Sequence, residues 1–354
     1  RNGTGSVDFG KPDTEELSAG QIKGRLLESG LWPAIRQRPY HVVANPDGQP
    51  KSIFISGFDT SPLAPDYSFI LANASGSSFR TGISALSKLT RGKTHLVLKG
   101  NGADNSIFDD IDDVEKSFFS GPHPAGNVGV HIHHLDPVNK GEVVWYVNFQ
   151  DVIAIGRLFE EGIYRPERIV AVTGSEIINP QYFRIISGGA VTQLVSGNVK
   201  AGELRYISGN VLTGTNIGSE GFLGFYDSQI TVIPEGNYHE FFGWAAPGLN
   251  KYSFSRTFLS SLIPKKSYKL DTNFHGGERA FVVTGQYEKV VPMDIFPMQL
   301  LKAIIAQDID MMENLGIYEV AEEDFALCEF ICPSKIEIQS VLRNGLDLMR
   351  KEMS

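Results

Sequence analysis

The sequence has few cysteines, no long apolar run and no excess of basic residues, and each absence argues against a class of protein. Two cysteines among 354 residues, Cys328 and Cys332, cannot build a disulfide framework and are typical of a reducing compartment. No apolar run approaches the roughly 18 residues of a membrane span. The net charge of −9 argues against the basic face that nucleic-acid binding requires. We therefore expect a soluble or peripheral protein with no nucleic-acid partner.

Several cofactor and catalytic motifs are missing as well. The sequence has no GxGxxG or GxxxxGK[ST] loop for a nucleotide phosphate and no HExxH pair for zinc. It has no GxSxG turn for a serine nucleophile. The acidic run Asp109–Asp113 lacks the spacing of a calcium loop, so we interpret it as a solvated surface. Motifs alone therefore assign no catalytic residue.

The length of the chain favours two or three domains, because a single core rarely grows beyond roughly 250–300 residues. The sequence begins with Arg1 and has no initiator methionine, so we expect it to be part of a longer protein. Residues 1–16 are polar and rich in glycine, and we predict a flexible lead-in.

From residue 17 to about 178, strand and helix patterns alternate. Ser18 and Gln21 form a capping box, and Gly30 is placed to end the first helix. Alternation of this kind predicts a parallel α/β sheet. The predicted strands are Ser52–Ser56, His95–Leu98, Val143–Val147 and Ile169–Val172, and the predicted helices include Phe79–Leu89 and about 149–162.

The pattern changes near Asn179, where short alternating strands and Ser-Gly turns begin. We predict a small β domain over residues 179–293, with strands at 183–186, 204–207 and 229–233. From Pro297 the apolar period becomes helical, and the residues predicted to share its buried face are Leu300, Leu301, Ile304 and Ile305. Ser334 with Glu337 resembles a second capping box. Residues 294–354 are predicted to form a helical bundle.

A stretch rich in glycine, proline and histidine, Gly121–His134, is the most unusual part of the α/β region. If it were a strand, His131 and His133 would share a face and could bind zinc together with Asp136. Its glycines could also cradle a phosphate, but its prolines remove backbone donors. A structural turn, with histidines that pack or bind backbone groups, is the favoured interpretation.

The two cysteines stand in a CxxxCP pattern, which is the second half of a bacterial iron–sulfur run. The earlier two ligands would fall at positions 322 and 325, which are Glu322 and Phe325. Two thiols cannot hold a four-thiolate cluster. We predict a degenerate cluster domain with no metal at Cys328 and Cys332.

The segment Trp32–Tyr40 is aromatic, basic and fixed by prolines, and we predict that it forms a loop. Its arginines could donate hydrogen bonds to a carbonyl ligand while its aromatic rings stack on the ligand. It could equally be a docking edge for a partner.

Several of these runs resemble the A subunit of the bacterial sodium-pumping NADH:quinone oxidoreductase, and the resemblance covers nearly the whole chain after about residue 15. The family carries a further N-terminal region with a lipoyl-like module. The runs that resemble the family are Glu28–Pro39, Gly121–Gly126, Asn148–Ala154, Phe242–Trp244 and Leu327–Pro333.

The family is similar to the flavin- and NADH-binding subunit of respiratory complex I. The resemblance therefore implies three parts: a Rossmann-like parallel-sheet domain over 17–178, a ubiquitin-like (SLBB) β-grasp domain within 179–293, and a helical domain over 294–354 that resembles a degenerate iron–sulfur domain.

The resemblance further implies a translocase subunit that is peripheral at the cytoplasmic face of the bacterial inner membrane. Its partners would be the other subunits, which carry the flavins, the iron–sulfur centre and all membrane contact. We expect this chain to bind no cofactor, not to be catalytic alone, and to contribute to quinone access and complex assembly. Two alternatives remain: a pure scaffold, or a redox protein that itself binds flavin or NADH. The candidate quinone-proximal residues are Trp32, Arg36, Arg38 and Tyr40.

Overall fold

The structure is a computed structural model, and it describes residues 7–74, 76–103, 105–243, 245–264 and 266–353. Trp244, part of one family run, lies outside the described residues.

Two mixed sheets and a group of helices make up the described chain, so the expected combination of α/β, small β and helical parts is confirmed at this level. The strands are β1 (Ile35–Arg38), β2 (Val42–Val43), β3 (Ser52–Ser56), β4 (Lys93–Lys99), β5 (Glu115–Phe119), β6 (Val144–Val147), β7 (Glu167–Thr173), β8 (Gln181–Ile186), β9 (Leu204–Ser208), β10 (Thr215–Asn216) and β11 (Gln229–Pro234). The helices are α1 (Ala19–Glu28), α2 (Tyr67–Ala72), α3 (Gly76–Ser87), α4 (Val128–Leu135), α5 (Phe149–Glu161), α6 (Thr192–Val195), α7 (Pro297–Ala306), α8 (Ile309–Asn314), α9 (Ala326–Ile331) and α10 (Ile338–Met353).

The first sheet has the strand order β2-β1-β6-β3-β4-β5. Strands β6, β3, β4 and β5 are parallel, as the alternation of strands and helices predicts, whereas β1 pairs with β6 and β2 in antiparallel orientation. From β3 the chain winds outward to β4 and β5, then returns to the other side of β3 to form β6. The winding therefore reverses between β3 and β6.

The start and end of α1 follow local sequence rules. The Ser18 side chain caps the helix and Gln21 reaches back to the Ser18 backbone, which confirms the predicted capping box. Gly30 has φ +73°, and the amide of Leu31 donates to the carbonyl of Leu26. This pair of features is a Schellman stop, in which glycine takes the left-handed conformation without steric cost.

Helices α3 and α5 pack with their backbones in close approach. A β-carbon at Gly156 would lie 1.6 Å from the carbonyl oxygen of Ser78, and one at Gly82 would lie 2.1 Å from that of Val152. Only glycine fits at both positions, because any β-carbon would overlap backbone atoms. The pair covers one face of the first sheet with a core that includes Ile83, Val152 and Ile155.

The second sheet has the order β10-β9-β11-β7-β8, and only its β11–β7 pair is parallel. The predicted place of the strand Ile169–Val172 in the first sheet is wrong. Strand β7 forms its backbone hydrogen bonds with β8 and β11 instead. Periodicity identifies a buried strand but does not say which sheet it joins.

The C-terminal helices enclose a separate core that contains Leu300, Leu342, Leu346 and both cysteines. The predicted helices are present, with two local corrections. Ile305 is 55% exposed and does not share the buried face. The capping box at Ser334 does not form, because its hydroxyl donates to the carbonyl of Ala280 and α10 begins only at Ile338.

The described part of the N-terminal lead-in lies against the first sheet unit rather than free of it. The amide of Phe9 donates to the carbonyl of Gly162, and Arg25 donates to that of Gly10. Lys88 binds the carbonyls of Thr14, Glu15 and Leu17. These hydrogen bonds attach residues 9–15 to the first sheet unit, while the flexibility of the lead-in stays a prediction.

Candidate functional site

The sequence suggested a loop for the segment Trp32–Tyr40, and this prediction is wrong. The segment forms a 3-10 turn followed by strand β1. Trp32 is only 3% exposed; its indole N–H donates to the carbonyl of Ala44 at 2.8 Å, and its ring packs edge-on against Trp145. Its expected role as a ring contact for a ligand is therefore corrected, because the side chain is enclosed in the core.

Arg38 is fully buried and binds two carboxylates of the C-terminal part. Its Nη1 lies 3.1 Å from Oδ2 of Asp324, and its Nη2 lies 2.8 Å from Oε1 of Glu323. Burial opposes the charged guanidinium, but Asp324 and Glu323 outweigh this effect and raise the pKa of Arg38. Arg38 is thus an internal ion-pair partner, which corrects its expected role as a donor to a quinone carbonyl.

A second set of charges joins the same two regions. Glu322 accepts hydrogen bonds from His41 at 2.7 Å and from Arg343 at 3.1 Å, and Arg343 also donates to the carbonyl of Tyr40. Burial alone would raise the pKa of Glu322, but the His41 hydrogen bond outweighs it and lowers the pKa to about 2. Glu322, which stands where the iron–sulfur pattern has a cysteine, therefore binds the β1–β2 region.

The segment thus packs on residues of the same chain through these ion pairs and hydrogen bonds, while docking of a separate partner stays a prediction. The acidic turn Glu322–Asp324 is the element that sequence reasoning missed. The sequence does contain an acidic triplet and a basic segment, which could have indicated an ion pair. However, 286 positions separate Arg38 from Asp324, and no local rule connects them.

The glycine-rich stretch packs against two loops. The amide of Gly126 donates to the Thr60 hydroxyl at 2.8 Å, and a β-carbon at Gly126 would lie 2.7 Å from the Thr60 amide. A β-carbon at Gly129 would lie 2.4 Å from the Asp324 carboxylate. These glycines therefore permit close packing, which agrees with the structural interpretation of the stretch.

The histidines lie on helix α4, so the alternative in which they share one face of a strand is wrong. His131 binds the carbonyl of Ala125 at 2.8 Å and His134 binds that of Pro292 at 2.9 Å. His133 lies 2.6 Å from Glu319 and accepts from the amide of Asp294. Each ring has its own partner, so α4 connects the first sheet to the C-terminal part.

His131 is expected to make the chain less stable in mild acid. Burial lowers its pKa from 6.5 to about 4. The folded chain thus holds His131 neutral, whereas the unfolded chain protonates it below pH 6.5. Above pH 6.5 the ring is neutral in both states and does not change the free energy of unfolding. As the pH falls to about 4, protonation of the unfolded chain lowers the free energy of unfolding by about 3 kcal/mol. Denaturant unfolding of His131→Gln across this range should show a shallower fall than wild type.

The Gln substitution can retain the donor to the Ala125 carbonyl while removing the titration. The exposed His239 provides the matched control, and His239→Gln should follow the wild-type pH dependence. Equal slopes for His131→Gln and wild type would contradict the assignment.

The two cysteines are buried thiols in the helical core. The Tyr287 hydroxyl donates to Sγ of Cys332 at 2.9 Å, and burial raises the pKa of Cys328. Among the described residues, no group of three or more histidine, cysteine or acidic side chains is arranged to hold a metal ion.

A cavity of about 150 Å³ lies beyond the carboxyl ends of β3 and β6, where the winding of the first sheet reverses. Ligands of open α/β sheets bind preferentially at such a reversal. One wall follows β3 and β6, and the other belongs to the second sheet. The lining residues are Asp59, Ser61, Pro65, Tyr67, Asn148, Phe149, Gln150, Gly209, Asn210, Tyr226, Asp227, Ser228 and Gln229.

The cavity combines aromatic rings with carboxylates and amides, and no basic side chain of the described residues lines it. Asp59 accepts one hydrogen bond, from the Ser61 amide, and Asp227 accepts one from the Ser208 hydroxyl. Burial raises the pKa of Asp227. Nucleotide sites at this edge of a sheet must bind a phosphate group. Carboxylates in this position would repel that phosphate.

Arg36 connects the Trp32–Tyr40 segment to this cavity. Its guanidinium lies 4.5 Å above the ring of Tyr226, and the Tyr226 hydroxyl donates to the carbonyl of Pro33. Nη2 of Arg36 donates to the carbonyl of His41, whereas its buried Nε has no acceptor among the described residues. Arg36 and Tyr40 are half-buried, unlike Trp32 and Arg38.

The start of α5 fixes the position of the second sheet. The Gln150 side chain donates to the carbonyl of Ile169 and to Ser228, both at 2.8 Å, and accepts from the Ile169 amide. Asp151 forms a buried ion pair with Arg168 on β7. The family run Asn148–Ala154 thus holds the two walls of the cavity together.

No helix within the described ranges is both long enough and apolar enough to cross a membrane.

Comparison with known families gives two matches along this chain. A model described as the NqrA second alpha/beta domain matches residues 17–164, and one described as the NQRA C-terminal domain matches residues 169–218.

Several curated proteins are similar over almost the whole chain, and each is named as the A subunit of a Na(+)-translocating NADH-quinone reductase. That of Hahella chejuensis is 42% identical over 347 residues, which are 98% of this chain and 77% of that protein. That of Yersinia pestis is 42% identical and covers 97% and 76%. That of Haemophilus influenzae is 43% identical and covers 99% and 78%. Among solved structures, a chain of an NAD+-reducing [NiFe]-hydrogenase gives a TM-score of 0.48 at 11% identity, over 97% of this chain and 63% of that chain.

Proposed function

The chain belongs to the family formed by the A subunits of the Na(+)-translocating NADH-quinone reductases, and we propose that it acts in that complex as a peripheral subunit without a cofactor of its own. Its role is to shape quinone access and to support assembly, while electron transfer runs through other subunits. Those subunits carry the flavins, the iron–sulfur centre and the contact with the membrane. In this proposal the chain lies at the cytoplasmic face of the bacterial inner membrane.

The observation that carries the quinone role is Arg36, whose buried Nε has no acceptor among the described residues and whose guanidinium covers Tyr226 at the cavity. A buried donor without an acceptor is costly, and we propose that a ligand oxygen satisfies this one. A quinone carbonyl provides that acceptor. Tyr40, half-buried near Arg36 in the chain, remains the ring-contact candidate, whereas Trp32 and Arg38 support the segment from within.

Replacing Arg36 by alanine in the assembled reductase should weaken the use of quinone. Loss of a hydrogen bond from a charged donor costs about 1.5–3 kcal/mol, which corresponds to a tenfold or larger rise in the KM for quinone. Steady-state quinone reduction and sensitivity to quinone-site inhibitors measure this effect.

Arg80→Ala is the matched control, because Arg80 is exposed and lies far along the chain in α3. It should leave both readouts unchanged. Unchanged quinone kinetics and inhibitor sensitivity in the Arg36→Ala complex would overturn the quinone role.

A pure scaffold is the second candidate, and the ion pairs of Arg38 with Glu323 and Asp324 favour it. They join regions far apart in the sequence, and they pair the Arg38 guanidinium with carboxylates of the chain rather than with a ligand. Flavin or NADH binding is less favoured, because the phosphates of either group would meet Asp59 and Asp227. A purified chain with flavin absorbance would reverse that order.

For the fold we propose that the first sheet unit is Rossmann-like and the second a ubiquitin-like (SLBB) β-grasp domain. The parallel order around β3 supports the first assignment, and the SLBB family model over residues 169–218 supports the second. Because β7 joins the second sheet, we move the first boundary from 178 to just before Glu167. Residues 294–354 remain our proposal for a degenerate iron–sulfur domain.

A further inference from the structure

The cavity between the two sheets is lined by two carboxylates, which accept hydrogen bonds and therefore favour one redox form of a quinone over the other. Each of its two carboxylates uses one oxygen in the protein, Oδ1 of Asp59 for the Ser61 amide and Oδ2 of Asp227 for the Ser208 hydroxyl. The second oxygen of each has no hydrogen-bond partner among the described residues. A carboxylate oxygen accepts hydrogen bonds, so each of these two oxygens is placed to accept one from a ligand donor.

We propose that this cavity binds the hydroquinone, the reduced form of the quinone, in preference to the oxidised form. A hydroquinone has two hydroxyl donors, which match the two carboxylates. A quinone has only carbonyl acceptors. Beside the carboxylate oxygens of the cavity, these carbonyls have no proton with which to form a hydrogen bond. This inference rests on the proposed function, since it names the redox form that the subunit holds.

The size and walls of the cavity suit one ring. A volume of about 150 Å³ is close to that of a protein cavity known to admit benzene. The aromatic residues Tyr67 and Phe149 are already stacked on each other at 4.8 Å, and Tyr226 lies beneath Arg36. These rings provide flat, partly apolar surfaces for an aromatic ligand.

Glycine keeps one carboxylate accessible. A β-carbon at Gly209, which lines the cavity, would lie 3.1 Å from Oδ1 of Asp227, the oxygen without a partner among the described residues. The left-handed φ of +93° at Gly209 further favours glycine. The same carboxylates oppose nucleotides, because phosphates and carboxylates repel each other at short range.

Anaerobic equilibrium dialysis of the intact subunit with a short-chain hydroquinone, and separately with the corresponding quinone, tests this inference. We expect the hydroquinone to bind at least about tenfold more tightly, since each hydrogen bond to an ionised carboxylate contributes on that scale. AMP, as a phosphate-bearing probe, should not bind.

Asp227→Asn and Asp59→Asn should each reduce hydroquinone binding about tenfold, and their unfolding transitions establish that both variants are folded. Two variants are used so that one remains informative if the other does not fold. The exposed Asp112 gives the control, and Asp112→Asn should bind as wild type does.

Equal binding of both redox forms, unchanged binding by the folded carboxamide variants, or binding of AMP would overturn the inference. Absence of binding by wild type would overturn it as well, while a kinetic defect of the Arg36→Ala reductase would leave the proposed function standing. Failure of both experiments would overturn both.

Discussion

Arg38→Met is expected to lower the free energy of unfolding by about 3–5 kcal/mol. The substitution leaves the Asp324 carboxylate buried and charged without its cation, since Asp324 is 2% exposed. Removing one member of a buried ion pair costs far more than the pair contributes, because the remaining charge is not solvated. Denaturant unfolding followed by circular dichroism measures the loss.

Two further variants separate this effect from a general cost of arginine removal. Arg80→Met removes an exposed arginine whose ion pair with Asp110 should contribute less than about 1 kcal/mol. Arg38→Met combined with Asp324→Asn removes the buried charge and should recover more than half of the loss. If Arg38→Met cost no more than Arg80→Met, the ion pairs would not hold the C-terminal part against β1.

Gly156→Ala is the second substitution with a large expected effect. The new β-carbon would lie 1.6 Å from the Ser78 carbonyl oxygen and 2.8 Å from the Gly82 amide nitrogen, so α3 and α5 must move apart. Overpacking of a core costs about 1–3 kcal/mol, and here the obstacle is backbone rather than a movable side chain, so we expect at least about 3 kcal/mol.

Gly24→Ala is the matched control for Gly156→Ala, because it also places alanine in a helix. No atom lies within 4 Å of the new β-carbon at Gly24, and alanine is favoured over glycine in a helix by about 1 kcal/mol. The chain should therefore become more stable. Stability within about 0.5 kcal/mol of wild type for Gly156→Ala would contradict the close approach of the two helices.

Features that depend on neighbouring residues could be predicted from the sequence. The Ser18 cap, the Gly30 stop and the strand Ser52–Ser56 all follow from short-range patterns and all occur in the structure. The family was also recognisable from its runs, because those runs are long and specific.

Features that depend on distant pairing could not be predicted in the same way. Strand β1 resembled a loop because it is short, charged and followed by Pro39; it is defined by pairing with β6, more than a hundred positions later. Helix α4 alternates Val130 and Ile132 with histidines, a period that suits a strand, yet it folds as a helix.

The candidate site shows the same division between local and distant information. Composition identified Arg36 as a possible ligand contact, but it could not show that Arg38 and Trp32 are enclosed. The cavity carboxylates Asp59 and Asp227 lie in segments that adjoin two different sheets, and they share no motif. Only the folded chain brings them to one place.

Amide hydrogen exchange of the intact reductase, with and without saturating short-chain quinone, tests the quinone role most directly. We expect slower exchange in β1 around Arg36 and in the segment around Tyr226, with no change in the acidic surface run Asp109–Asp113. Slower exchange confined to other subunits, with these two segments unchanged, would contradict the quinone role.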